Sequence, residues 1–173
     1  QAGLPGTVLG AGLAAIRLAA VAALPLAAIA DRTGRRRALL TWVTVGLLAV
    51  VAAAASPGYW WFVAAFALAR PLLTATDTVG EVMAAELTGA GDRAKAVALM
   101  SAAYGIGAGV VAVIRGAAGG ALGFRGVFAL ALVPLAAVWA TRRLVVEPDR
   151  YRALADDPGH RAPALRSVPP ELR

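Results

Sequence analysis

The sequence predicts an all-α integral membrane protein, a bundle of five transmembrane helices. Three observations carry that expectation. The chain of 173 residues is 60% hydrophobic, with a mean hydropathy of +0.71. Soluble domains hold roughly 45–50% apolar residues even with glycine counted. A membrane helix needs roughly 20 apolar residues, and five such runs fit before Arg142. The net charge is +7, but the arginines gather in the short stretches between the apolar runs. Orientation in a bilayer explains that distribution better than nucleic-acid binding does, so the bilayer is the expected partner and nucleic acid is not. There is no cysteine, hence no disulfide or thiolate chemistry. His160 stands alone in a polar tail and cannot build a metal site. Neither a metal nor a cofactor is expected.

The first run extends from about Leu4 to Ala30. Gly6, Gly10 and Gly12 offer a small face for close helix contact. Arg17 lies inside the run, roughly 20 Å from its far end. It needs water or an acidic partner there, or it snorkels to the interface. Pro25 is expected to bend the last turns.

The run stops at Asp31, and Arg32, Gly34, Arg35, Arg36 and Arg37 follow before apolar residues resume. Asp31 sits at the C-terminal end of its helix, where the macrodipole disfavours an anion. The arginines open the next helix, where it disfavours cations. Both need partners elsewhere: another helix N-terminus for Asp31, carboxylates on a neighbour for the arginines. Gly34 is expected to take a positive φ in a very tight turn. A basic loop produced by the positive-inside rule alone is the plainer reading. The order Ala27-x-x-x-Asp31-Arg32-Thr33-Gly34-Arg35-Arg36 resembles the G-x-x-x-D-R-x-G-R-R/K loop of major facilitator superfamily transporters, with alanine for the opening glycine. In that family the loop joins the second and third membrane helices on the cytoplasmic side. The resemblance implies that Asp31, Arg32, Gly34, Arg35 and Arg36 form a latch holding the two transporter halves in one state.

The second run, about Ala38 to Ala55, carries no charge, and Trp42 stands near its basic end as an interfacial aromatic would. Ser56-Pro57-Gly58 is an uncharged turn followed by Tyr59, Trp60 and Trp61, an aromatic belt that reads as the outer face. The third run extends from about Tyr59 to Ala85. It carries Arg70, Thr74, Asp77 and Glu81 at spacings of four, three and four, which puts them on one helical stripe. Arg70 resembles the arginine of the family's fourth-helix R-x-x-x-G pattern, with Thr74 in place of the glycine. Pro71 should kink the helix. The family's cavity is lined mainly by the first and fourth helices of this half, so the resemblance makes Arg70, Thr74 and Asp77 the candidates for a solute cavity and proton coupling, Thr74 being a possible bridge between the other two. A structural ion-pair stripe is the alternative. Glu81, roughly 33 Å down the helix from Tyr59, is expected to pair with an arginine of the Arg35–Arg37 group.

The next loop, Glu86 to Lys95, resembles the family's fourth-to-fifth-helix loop, with Ala94 replacing a glycine. The fourth run, about Ala94 to Ala118, carries Gly105, Gly109, Ala112 and Gly116 as a stripe for tight packing. The family's proton antiporters have a Gly-Pro-x-x-Gly-Gly pattern here, from which Ala112 and Arg115 depart. Arg115 and Arg125 fall near the outer end, to line a vestibule or meet headgroups. The fifth run, about Phe124 to Thr141, is interrupted by Pro134, entered by Gly123-Phe124-Arg125 and closed by Arg142-Arg143. The entry resembles the family's G-W-R. Glu147 to Tyr151 resembles the P-E-S-P-R tail that follows the sixth helix. Residues 144–173 are expected to be a cytoplasmic, largely disordered loop or tail.

The resemblance covers roughly Leu4 to Tyr151. It implies the second to sixth helices of such a transporter, with the first helix and the C-terminal half as missing partners. The start at Gln1 and the end at Arg173 read as those of a fragment, and no signal peptide is expected. Arg32, Arg35, Arg36, Arg37, Arg93, Lys95, Arg142 and Arg143 all fall on one side of the predicted bundle, which is therefore expected to be cytoplasmic in a multi-pass plasma (inner) membrane protein. The implied function is alternating-access transport of a small-molecule substrate, often coupled to protons. A small membrane scaffold or assembly subunit is the rival. An intramembrane enzyme would have only Asp77 and Glu81 as a carboxylate pair on one helix, and no enzymatic activity is expected.

Overall fold

The computed structural model describes residues 3–89 and 91–145, without the side chains of Asp31, Arg32, Leu122 and Phe124. The tail from residue 146 lies outside the described residues. The chain folds as α1 (Gly6–Ala19), α2 (Ala23–Thr33), α3 (Arg35–Ala54), α4 (Tyr59–Leu87), α5 (Arg93–Ala129) and α6 (Leu132–Thr141). Among the described residues there is no strand. Among the described residues, four helical stretches are long and apolar enough to cross a membrane: Gly6–Ala30, Arg35–Ala54, Tyr59–Leu87 and Arg93–Ala118. A shorter apolar stretch, Arg125–Thr141, is the fifth member of this all-α membrane bundle.

Prolines and one glycine set the breaks. A turn of 3-10 helix, Ala20–Ala22, joins α1 to α2. Pro25 lies just beyond it, and its missing N–H leaves the Val21 carbonyl without the usual donor four residues on. The same cause acts at Pro134, which cannot donate to Leu130 O four residues back, and Val133 N–H donates to that carbonyl instead at 3.0 Å. The chain turns at Leu130 and Ala131, and the helical ladder resumes where Leu135 N–H donates to Ala131 O at 3.2 Å. Gly123, at φ 60° and ψ −178°, separates the fourth span from the fifth within α5.

The core is the seam between α3 and α4, with α2 closing one side. Ala30, Ala38, Ala75, Val79 and Met83 are buried in it together with Trp42. Trp42 is thus a core residue, 9% exposed, and not the interfacial aromatic its position suggests. The α3 face that carries it is turned toward α2 and α4. Most of this core is small, as helices in a bilayer gain by close backbone approach where apolar bulk alone gives little. Gly46 shows how close that approach is: a Cβ there would stand 2.8 Å from Leu73 Cδ2.

At the other end α1 is fastened to α4. The Tyr59 hydroxyl reaches the Val8 and Leu9 carbonyls at 3.2 and 3.1 Å. Gly12 leaves room for that ring, since a Cβ there would lie 2.1 Å from the Tyr59 oxygen. The rest of the expected glycine packing does not form among the described residues. Gly6, Gly10, Gly105, Gly109 and Gly116 meet nothing within 4 Å among the described residues. Toward α5, a Cβ at Gly80 on α4 would stand 3.3 Å from Met100 Cε.

Candidate functional site

The charged stretch after the first span is not a loop. α2 runs through Asp31 and Arg32 to Thr33, α3 starts at Arg35, and one residue separates them. That residue, Gly34, has φ 102° and ψ 123°, a conformation that a side chain at Cβ disfavours. Its N–H donates to Ala30 O at 3.1 Å, and its carbonyl accepts from Ala38 N–H at 3.0 Å. One glycine therefore ends one helix and begins the next. Asp31 and Arg32 occupy the last turn of α2, and their side chains lie outside the described residues.

Arg35 forms an ion pair with Glu86, both side chains being partly buried. The expected carboxylate was Glu81, which is exposed and makes no ion pair among the described residues. Helix geometry explains the correction. α4 continues to Leu87, so its last turn, not the turn before, lies level with the start of α3. Glu81 sits about 7.5 Å higher and roughly 140° around the helix from Glu86. The pair also relieves two opposed dipole conflicts. Glu86 is an anion at a helix C-terminus and Arg35 a cation at a helix N-terminus, and each carries the charge that the other's helix end favours.

Arg36, the next cation at the start of α3, reaches backbone carbonyls. Its guanidinium donates to Arg142 O at 3.0 Å and to Val145 O. These carbonyls lie at and just beyond the end of α6, where backbone acceptors have no helical donor. Arg125 does the converse at the opposite end, donating to Ser56 O at 3.3 Å just past α3. It is exposed all the same. Arg115 and Arg17 are exposed.

The second group of candidates lies along α4. Its buried face carries Val63, Ala69, Ala75, Val79 and Met83. Arg70, Asp77 and Glu81 are exposed and Thr74 is half-buried, so the polar stripe lies away from the α3 seam. Arg70 and Asp77 share that stripe, yet no ion pair or hydrogen bond joins them, directly or through Thr74, among the described residues. Their Cα atoms are about 10 Å apart along the axis. The stripe is an open lane of polar groups on an otherwise apolar helix. α4 runs as one helix through Pro71, which faces the buried side.

These placements put a charged helix junction, with paired arginines, at one end of an apolar bundle and a polar lane along its third span. A family model described as Major Facilitator Superfamily matches residues 1–169. The chain belongs to the major facilitator superfamily. It is a multi-pass membrane protein of a transporter family, whose members act in membrane transport on small molecules. Comparison with curated proteins gave no match.

Within this major facilitator chain, sequence reasoning missed Glu86 as the Arg35 partner, the α6 carbonyls as the Arg36 partner, and Tyr59 as a fastener of α1. A signal existed for the first. Glu86 is the last acidic residue before the turn that follows α4, so it sits at the interface whatever the helix rotation. No sequence signal marks the other two, because their partners are backbone carbonyls.

Proposed function

We propose that the protein moves a small solute by alternating access, driven by a proton gradient, with Arg70, Thr74 and Asp77 lining the solute path. The carrying observation is the exposure of Arg70 and Asp77 on the α4 face opposite the packed seam. Arg70 stands roughly 16 Å below Tyr59, near mid-bilayer, where an arginine costs about 2.5–3.5 kcal/mol or more. Leucine would pack there without that cost. A structural ion-pair stripe would join its charges, whereas these two remain apart. Asp77 supplies a group that can take up and release a proton on the same lane. Glu81 extends the lane toward the basic end.

In this reading the Asp31–Arg36 junction is the latch, and it faces the cytoplasm of the plasma (inner) membrane by the positive-inside rule. The lane and the open glycine face of α5 then meet a first helix and a C-terminal half of the same transporter. The test uses the full transporter in proteoliposomes with an internal pH dye and a panel of small solutes. A solute that elicits proton flux through the wild type, and not through Asp77→Asn, supports the reading. Solute uptake unaffected by the pH gradient and by Asp77→Asn removes it.

A further inference from the structure

A groove of about 870 Å³ runs between α3 and α6. We propose that it holds one anionic phospholipid, an acyl chain lying in the groove and the phosphate against Arg142 and Arg37. The volume is within the roughly 300–1,000 Å³ of small-ligand sites, but the lining does not suit a polar solute. Val45 and Leu48 from α3 face Leu132, Leu135 and Trp139 from α6. Thr44 directs its hydroxyl to Leu40 O at 2.6 Å and offers no free donor to the groove.

Length selects the occupant. From Leu132 to Arg142 the groove follows ten residues of helix, about 15 Å. That is half of the roughly 30 Å hydrocarbon core, one leaflet. The groove begins at the Pro134 break. Beyond it the same segment is drawn against its neighbours, Phe128 packing edge-on to Phe62 at 5.4 Å and Arg125 reaching Ser56 O. A helix from a second copy would need a seam open across both leaflets. An acyl chain of one leaflet needs only this half.

Charge selects the headgroup. The Arg142 guanidinium lies 4.6 Å over the Trp139 ring, at the end of the groove. Arg37, Thr41, Thr44 and Leu48 fall on one face of α3 at spacings of four, three and four, which sets Arg37 one turn beyond the lining at the same end. Arg35 and Arg36 are engaged by Glu86 and the α6 carbonyls. Arg37 is exposed and makes no hydrogen bond or ion pair among the described residues. Two arginines at an interface attract the anionic lipids of the cytoplasmic leaflet, the side on which the positive-inside rule places them.

The experiment compares phosphatidylglycerol and phosphatidylcholine of identical chains, added to the purified full-length transporter in detergent and read by native mass spectrometry. One phosphatidylglycerol should be retained in preference to phosphatidylcholine. Arg37→Ala and Arg142→Ala should each weaken that retention about fivefold, and Ala136→Trp, which fills the groove, should abolish it. A photoactivatable phosphatidylglycerol on the wild-type protein should label the peptides of Thr41–Leu48 and Leu132–Trp139, a readout independent of any variant's folding. Equal retention of the two lipids, undiminished retention by Ala136→Trp, labelling confined to other helices, or a stable dimer burying this seam would each overturn the proposal.

Discussion

Glu86, on the last turn of α4, closes an ion pair with Arg35, the first residue of α3. Each residue is in the wrong place for its own helix dipole and in the right place for the other's. Both side chains are about one-fifth exposed, and losing this charge-assisted contact should cost about 1.5–3 kcal/mol. Glu86→Gln should lower the Tm of the purified transporter.

Exchanging the two residues gives a sharper expectation. The double variant Arg35→Glu, Glu86→Arg keeps the pair and corrects both dipole conflicts, each worth about 0.3–1 kcal/mol. Its Tm should equal or exceed that of the wild type. If Arg35 also serves the latch, transport should fall while the Tm holds. A Tm below that of Glu86→Gln would show that the pair does not behave as this geometry requires.

Gly12 and Tyr59 set the distance between α1 and α4. Gly12→Ala places a methyl group 2.1 Å from the Tyr59 oxygen and 2.9 Å from Val63 Cγ2. The ring must leave the Val8 and Leu9 carbonyls, so the variant should lose about 1–3 kcal/mol of stability. Thermal unfolding of Gly12→Ala beside Tyr59→Phe, which loses the hydrogen bonds but not the packing, separates the two contributions. Unchanged unfolding of Gly12→Ala would argue against so close an approach.

Arg70 is expected to couple solute to proton. In the full transporter Arg70→Ala should insert normally and lose solute accumulation. Arg70→Lys should lose most of it, since an ammonium cannot bridge two acceptors as a guanidinium does. The structural alternative makes a different forecast. Poor insertion of Arg70→Ala, together with an Arg70→Leu, Asp77→Leu variant that folds and still accumulates solute, would assign the stripe to stability.

Orientation is open to a direct measurement. Single cysteines introduced as Thr33→Cys and Gly58→Cys, both exposed positions at opposite ends of α3, should label from opposite faces of intact cells. Labelling of the Thr33→Cys protein by an impermeant reagent from outside would reverse the topology.

Local pattern alone determined that this chain is an all-α membrane bundle. Apolar runs of bilayer length have few ways to satisfy their backbone other than helix, and the turn chemistry of Gly34 and the break at Pro134 depend on single residues and their immediate neighbours. Family membership was legible for a related reason: the order Asp31, Arg32, Gly34, Arg35, Arg36 is contiguous. The tertiary structure decided what no contiguous stretch encodes, namely how far each helix is rotated and how deep it sits. Glu81 and Glu86 are equally acidic and lie on one helix; the position of Glu86 at the helix end hinted at the interface, and the depth at which α4 packs on α3 brought it to Arg35. Trp42 is buried and Arg36 meets carbonyls for the same reason. A side chain's partner is fixed by the rotation and depth of two helices at once, and those follow from the whole seam between them.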